Sequence, residues 1–222
     1  MIGILVATDI EVAAIKGIMQ IEKEKQVAKH TFYYGTINGK DVVLAQTGVG
    51  KTHAAMTTTI MCLLDQPDLI INTGTAGGLK NEQNVLDIVI GNQVIQADYD
   101  TSPIDGEDGI GLVYEMDEKL VEKVAKVADE AGLKYHVGAI ASQDRFMSAP
   151  QDFQQVMERF PQSICCEMEA GAVGHIAIDF DVDVVLIRCL SDVVVHDDNP
   201  MEYLEYAQHA SKQIAHWMTL FI

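Results

Sequence analysis

Val184 to Leu190 (VVLIRCL) is apolar at every position except Arg188, and it runs straight into Ser191-Asp192. A strand this apolar on both faces lies inside a sheet covered by helices on either side, which makes the chain an α/β protein. Ligands of such sheets collect outside the carboxyl ends of the strands. An aspartate there is badly placed for solubility and well placed for catalysis. Just upstream, Glu167 and Glu169 flank Met168 and lead into a small-residue helical pattern, so these two and Asp192 bracket one strand–helix–strand stretch, Cys165 to Asp192.

The rest of the chain repeats the alternation of strand and helix. Ile2–Ala7 is a short apolar run, and Thr8-Asp9 caps a helix beginning near Ile10. Glu11 then lies in the first turn, where an acid complements the helix dipole whether or not it does anything else. Phe32–Ile37 and Asp41–Gln46 read as strands joined through Asn38-Gly39, a strong hairpin signal. Leu69–Ile71 is another apolar strand, and it enters Asn72-Thr73-Gly74-Thr75-Ala76-Gly77-Gly78, where glycines and small hydroxyls let a flat ligand approach the backbone closely. Val85–Val94 is hairpin-like, and the acidic segment Asp98–Gly111 reads as a mobile loop or lid. Asp117–Ala131 is an amphipathic helix stopped at Gly132. A strand over Tyr135–Ala141 delivers Ser142–Met147 to a loop, and Pro150 suits the first turn of a helix over Gln151–Arg159. Phe146 is either a core aromatic or a platform for a base. The last helix, about Met201 to Leu220, buries a stripe that includes Trp217. With no internal repeat and no linker, residues 1–222 read as one domain: a mixed sheet with helices on both faces.

Charge and composition narrow the partners. A formal net charge of −18 with three arginines, Arg145, Arg159 and Arg188, argues against nucleic acid and anionic membranes. The first residues lack a secretory pattern and no apolar run is long enough to span a bilayer. The four cysteines sit in apolar contexts and read as reduced core thiols, which points to the cytoplasm. No metal site is expected, since His196-Asp197-Asp198 reads as a solvated acidic loop. Thr47–Thr52, taken with Ala45, satisfies the loose phosphate-loop pattern [AG]-x4-G-K-[ST]. Ala45 falls inside the predicted strand, however, where the backbone cannot curl around phosphates. Asn72 also stands where a magnesium-binding aspartate is wanted, so a nucleoside triphosphatase is disfavoured.

Taken together, Glu11 after the first strand, TGVGK at 47–51, NTGTAGG at 72–78, FPQSICCEMEA at 160–170 and IRCLSD at 187–192 resemble the 5′-methylthioadenosine/S-adenosylhomocysteine nucleosidases of the nucleoside phosphorylase superfamily. The resemblance implies a three-layer, mixed twisted β-sheet flanked by helices, no cofactor, a small nucleoside substrate and a homodimer whose lid crosses between subunits. It implies hydrolysis of the N-glycosidic bond of 5′-substituted adenosines. Asp192 resembles the general acid at adenine N7, with Ser191 fixing its geometry. Glu11 resembles the group that activates water, assisted by Arg188 and the Thr75 hydroxyl. Glu169 resembles the carboxylate on the ribose hydroxyls and Met168 the side chain packed on the sugar, with Glu167 joining the substrate-binding set. Phe146 corresponds to the aromatic stacked on the purine and Met147 to the backbone reading its edge. Ala76 and Gly77 correspond to the backbone beside the base, and Val49 to an apolar wall of the ribose pocket.

These residue types suit the chemistry. A departing purine needs a proton from a carboxylic acid with a raised pKa, and a second carboxylate steers water to the other face of an oxocarbenium-like sugar. A phosphorylase would need several arginines around its phosphate; bacterial phosphorylases of the superfamily carry one where Asn72 stands, and Arg188 is the one arginine the alignment puts in the site apart from Arg145. Water is therefore the expected nucleophile, with a phosphorylase or a non-catalytic nucleoside-binding module as alternatives. The 5′ end of the pocket departs from the family pattern at Thr8, at Asp98–Gly111 and at Val193–Met201. Those departures keep S-adenosylhomocysteine, 5′-deoxyadenosine and aminofutalosine-type substrates open, as does Arg145 beside Phe146.

Overall fold

The structure, a computed structural model, describes residues 1–147, 150–194 and 203–222. In chain order the elements are β1 (Ile2–Val6), α1 (Asp9–Lys16), β2 (Gln20–Val27), β3 (His30–Ile37), β4 (Lys40–Gln46), α2 (Lys51–Asp65), β5 (Leu69–Gly78) and β6 (Ile88–Asp100). There follow α3 (Ser102–Asp105), a 3-10 turn (Gly106–Gly109), β7 (Ile110–Glu115), α4 (Glu118–Glu130), β8 (Tyr135–Ser142), α5 (Pro150–Arg159), β9 (Ser163–Glu167), α6 (Ala170–Asp179), β10 (Asp183–Val193) and α7 (Tyr203–Phe221).

The strands form one mixed sheet in the order β10-β6-β8-β9-β5-β1-β4-β3-β2, with β7 added on β6. β10 also pairs in parallel with β5, so β5, β10, β6, β8 and β9 close on themselves while β1, β4, β3 and β2 extend as a wing. One core lies under α1, α4 and α7, where Ile15, Val124 and Trp217 are buried against β1, β4 and β10. The opposite core lies under α2 and α6 and holds Ala54, Met61 and Val173. This is the expected layering of helices on both faces. Burying each large apolar side chain contributes about 1.5–3 kcal/mol, which is why the apolar strands have no freedom to change face.

Local chemistry explains several elements. Thr8 caps α1 and Glu11 reaches back to the Thr8 backbone, a reciprocal capping box. Asn38 and Gly39 both have positive φ, 49° and 77°, as a tight twisted hairpin turn requires. Asp117 caps α4 by accepting from the Leu120 N–H at 2.9 Å.

Other expectations are corrected. The strand expected over Leu69–Ile71 does not stop there; β5 continues through 72–78 to Gly78. Val85–Val94 is not a hairpin but leads into one long strand, β6, paired with β8 and β10 on opposite edges. Asp98–Gly111 is not simply a loop: it holds the end of β6, α3, the 3-10 turn and the start of β7. Ser191 and Asp192 lie within β10, where a register shift between Leu190 and Asp192 marks a bulge. β2 escaped sequence reading because QIEKEKQV is polar and almost wholly exposed. Charged residues on such an edge strand block pairing with another sheet. The loop Val193–Met201 lies mostly outside the described residues, and His196-Asp197-Asp198 lies wholly outside them.

Candidate active site

β1, β5 and β10 run parallel, and their carboxyl ends open on a cavity of about 310 Å³. That is at the lower end of the range for small-molecule sites. β1 delivers Thr8 and Glu11, β5 delivers Thr75, Ala76 and Gly77, β9 ends in Glu167-Met168-Glu169, and β10 delivers Ser191 and Asp192. Val49 enters from the turn before α2, and Phe146 and Met147 from the loop after β8. Every site residue expected from sequence thus lines one cavity except Arg188. Phe153 and Cys166 line it too and were missed. Phe153 shares a helical stripe with Val156 and Phe160, so the pattern marks it only as core.

Glu11 is buried and tightly held. Its Oε2 accepts from the Ala7 and Thr8 N–H groups, each at 2.9 Å, and its Oε1 accepts from the Thr75 N–H at 3.0 Å. The helix-cap role and a site role therefore coexist in one carboxylate. Gly74 makes this possible, because a Cβ there would come within 2.8 Å of Glu11 Oε1. Gly74→Ala is expected to push the carboxylate aside and lower kcat about 10²-fold, the effect of an error near 1 Å in a reacting group. Steady-state turnover on refolded, monodisperse protein checks this.

Asp192 stands opposite Gly77 in the β10–β5 register, and its Oδ1 accepts from the Ser191 hydroxyl at 2.8 Å. Burial raises its pKa above the ordinary carboxylate value, with the Ser191 hydrogen bond working against the rise. Glu11 abuts Gly74 and Asp192 abuts Gly77 on the same strand. Both acids line the cavity.

Glu167 accepts from Ser142 Oγ, from the Glu169 N–H at 2.9 Å, the Ala170 N–H at 2.8 Å and Arg188 Nη2 at 2.5 Å. Arg188 is only 1% exposed and also donates to the carbonyls of Asn72 and Ile187 and to Asn72 Oδ1. Its guanidinium stands behind Glu167 and outside the cavity wall. Lone pairs and donors on this pair are largely used within the chain.

Glu169 faces the cavity and, among the described residues, accepts from one donor, the Gly50 N–H at 2.9 Å. Burial, followed by the charges of Glu167 and Glu11, pushes its pKa up to about 8 against the pull of Gly50 and Arg188. Between the ordinary carboxylate range and pH 8 the folded state therefore binds more protons at this position than the unfolded chain, and stability falls as pH rises through that window. Glu169→Gln, neutral throughout, is expected to match wild type near pH 5 and to melt above it at pH 8.5. Paired melting curves across that range check the sign.

The phosphate-loop look-alike is filled by the chain itself. The amides at the start of α2 hold Glu169 and Asp144, and Lys51 Nζ pairs with Asp98 Oδ1 at 2.5 Å. Arg145 lines the cavity while its Nη2 pairs with Asp152 Oδ1 at 2.7 Å. The four cysteines are free and buried, and no helix among the described residues is long and apolar enough to cross a membrane.

Comparison with known proteins agrees with this arrangement. The family model described as the phosphorylase superfamily matches residues 1–222. A 5′-methylthioadenosine/S-adenosylhomocysteine nucleosidase of Halalkalibacterium halodurans is 37% identical over 214 residues, 95% of this chain and 92% of the relative. Its counterpart in Oceanobacillus iheyensis is 35% identical over 96% of this chain and 95% of its own. Among solved structures, a nucleosidase of the same name from Neisseria meningitidis, in complex with methylthio-immucillin-A, superposes with a TM-score of 0.92 at 27% identity, covering 99% of this chain and 97% of that one. The futalosine hydrolase of Helicobacter pylori superposes with a TM-score of 0.91 at 25% identity, covering 99% and 96%. The chain belongs to the 5′-methylthioadenosine/S-adenosylhomocysteine nucleosidase family of the phosphorylase superfamily.

Proposed function

We propose that the protein hydrolyses the N-glycosidic bond of 5′-substituted adenosines of the 5′-methylthioadenosine/S-adenosylhomocysteine type, releasing adenine and the 5′-substituted ribose. The carrying observation is that two carboxylates, the buried Glu11 and the half-buried Asp192, line one nucleoside-sized cavity. In this reading Asp192, whose pKa burial raises, gives its proton to adenine N7 as the bond breaks. Ser191 holds the carboxyl group in orientation. Glu11 draws a proton from the attacking water on the far face of the sugar, beside the hydroxyl of Thr75. Glu169 accepts from the ribose hydroxyls, Met168 and Val49 pack on the sugar, and Ala76 and Gly77 flank the base. Phe146 stacks on the purine while the Met147 backbone reads its edge. Arg188 acts through Glu167, which it holds in place, rather than on water directly.

Hydrolysis is favoured over phosphorolysis because the guanidinium of Arg188 is committed to Glu167 and Asn72, and that of Arg145 is paired with Asp152. A phosphate dianion at the anomeric carbon calls for free forked donors. A second reading, hydrolysis of an adenine nucleoside with a more polar 5′ group, is supported by Thr8 on the cavity wall and by the likeness to a futalosine hydrolase. The active assembly is proposed to be a cytoplasmic homodimer, in keeping with buried thiols and with Ile104, 86% exposed on α3. Sedimentation at micromolar concentration tests the dimer.

The functional test is a panel of 5′-methylthioadenosine, S-adenosylhomocysteine, 5′-deoxyadenosine, an aminofutalosine-type nucleoside, adenosine and inosine, scored by free base with and without phosphate. Adenine and reducing sugar in equal amounts, independent of phosphate, are expected from the 5′-substituted adenosines. Ribose 1-phosphate products would establish the phosphorylase instead, and absence of any base release would refute both.

A further inference from the structure

The glycine-lysine turn before α2 lies outside the chemistry, yet several tethers converge on it. Phe146, on the loop after β8, is 61% exposed. Two residues earlier, the Asp144 carboxylate accepts from the Lys51 N–H at 2.6 Å, and the Asp144 N–H donates to Asp98 Oδ2 at 2.8 Å. Asp98 is in turn held by Lys51 Nζ, at 2.5 Å from its Oδ1, while the same ammonium donates to Gln96 Oε1 at 3.3 Å. The neighbouring Gly50 N–H holds Glu169. Gly50 has φ +99°, and a Cβ there would lie 3.0 Å from Asp144 Oδ1. Helix termini of this polarity attract anions. Here the anions are the chain's own carboxylates, and the lysine that would face a nucleotide phosphate is spent on Asp98.

We propose that Lys51, through Asp98 and Asp144, positions the loop carrying Phe146 and Met147 and thereby sets affinity for the base. Asp98 links the two: its Oδ1 is held by the Lys51 ammonium and its Oδ2 accepts from the Asp144 N–H. Without the ammonium Asp98 loses its hold on α2, and the Asp144 N–H is left on an acceptor no longer fixed, while the Lys51 backbone N–H alone keeps the loop on α2. Lys51 touches neither ligand nor reacting atoms in this scheme; it is a positioning residue. The inference rests on the proposed stacking of the purine on Phe146, so its test includes a readout that needs no nucleoside.

Lys51→Met keeps the aliphatic stem and removes the charge. Losing a charged hydrogen bond is expected to raise KM for 5′-methylthioadenosine and Kd for free adenine about tenfold, with kcat within about twofold of wild type. Lys51→Arg should restore both, and Asp98→Asn, which keeps an acceptor for the Asp144 N–H, should shift them in the same direction as Lys51→Met and carries the test if that variant does not fold. Amide hydrogen exchange over 143–147 should accelerate in Lys51→Met without ligand. Wild-type exchange rates there, or unchanged KM and adenine Kd beside an active wild type, would overturn the proposal; so would a fall in kcat at constant KM. A wild type that neither binds adenine nor cleaves nucleosides would instead sink the functional reading, leaving the exchange result to decide the latch.

Discussion

Asp192→Asn is expected to lower kcat about 10²–10⁴-fold, the usual worth of a positioned general acid. The fold should be untouched. Among the described residues the Asp192 side chain takes one hydrogen bond, from Ser191, and an asparagine oxygen can accept it equally well. Burial works against the charged form of the aspartate, so a neutral amide of the same shape removes that burden rather than adding one. Melting temperature at or slightly above the wild-type value is expected at neutral pH. In wild type, activity should decline on the alkaline side as the carboxyl group loses the proton it has to give. Turnover, a thermal melt and a pH–rate profile on the same preparations check all three, and a fully active Asp192→Asn enzyme would remove the acid from the mechanism.

Glu11→Gln should reduce kcat by a comparable 10²–10⁴-fold for a different reason, loss of the base that activates water. Here stability should also suffer. The carboxylate is acceptor-only and takes one backbone N–H on Oε1 and two on Oε2. A glutamine presents one oxygen, so its NH₂ group must face at least one backbone donor. Leaving such a buried pair unsatisfied costs about 1–3 kcal/mol, or some 2–4 °C of melting temperature per kcal/mol in a chain of this size. The contrast is diagnostic: both variants lose turnover, and only Glu11→Gln loses stability. Equal melting temperatures for the two would show that Glu11 is less firmly held than its hydrogen bonds indicate.

Much of this arrangement was legible in the residues. Thr8-Asp9 announced the cap of α1, Asn38-Gly39 the hairpin, and the run into Ser191-Asp192 a buried strand ending at a site. What remained hidden was non-local. Nothing in LIINTGTAGG says that β5 stays extended through its glycines; β10 and β9 enforce that by pairing along it. The closure of five strands into a ring depends on the same pairing. Arg188 looked like a group facing water because its position in β10 gives no hint that Glu167 and Asn72 occupy its donors. The acidic segment Asp98–Gly111 reads as mobile from composition, whereas Asp98 is tied to Lys51 and Asp144 and Asp100 pairs with Arg159.

The account turns on two acids reaching one nucleoside from opposite sides, and a crystal structure of the Asp192→Asn protein soaked with 5′-methylthioadenosine tests it most directly. The predicted complex has purine N7 within hydrogen-bonding distance of residue 192, the ribose hydroxyls on Glu169, and Glu11 across the anomeric carbon with a water between. A nucleoside bound with its sugar turned away from Glu11, or its N7 out of reach of residue 192, would contradict it.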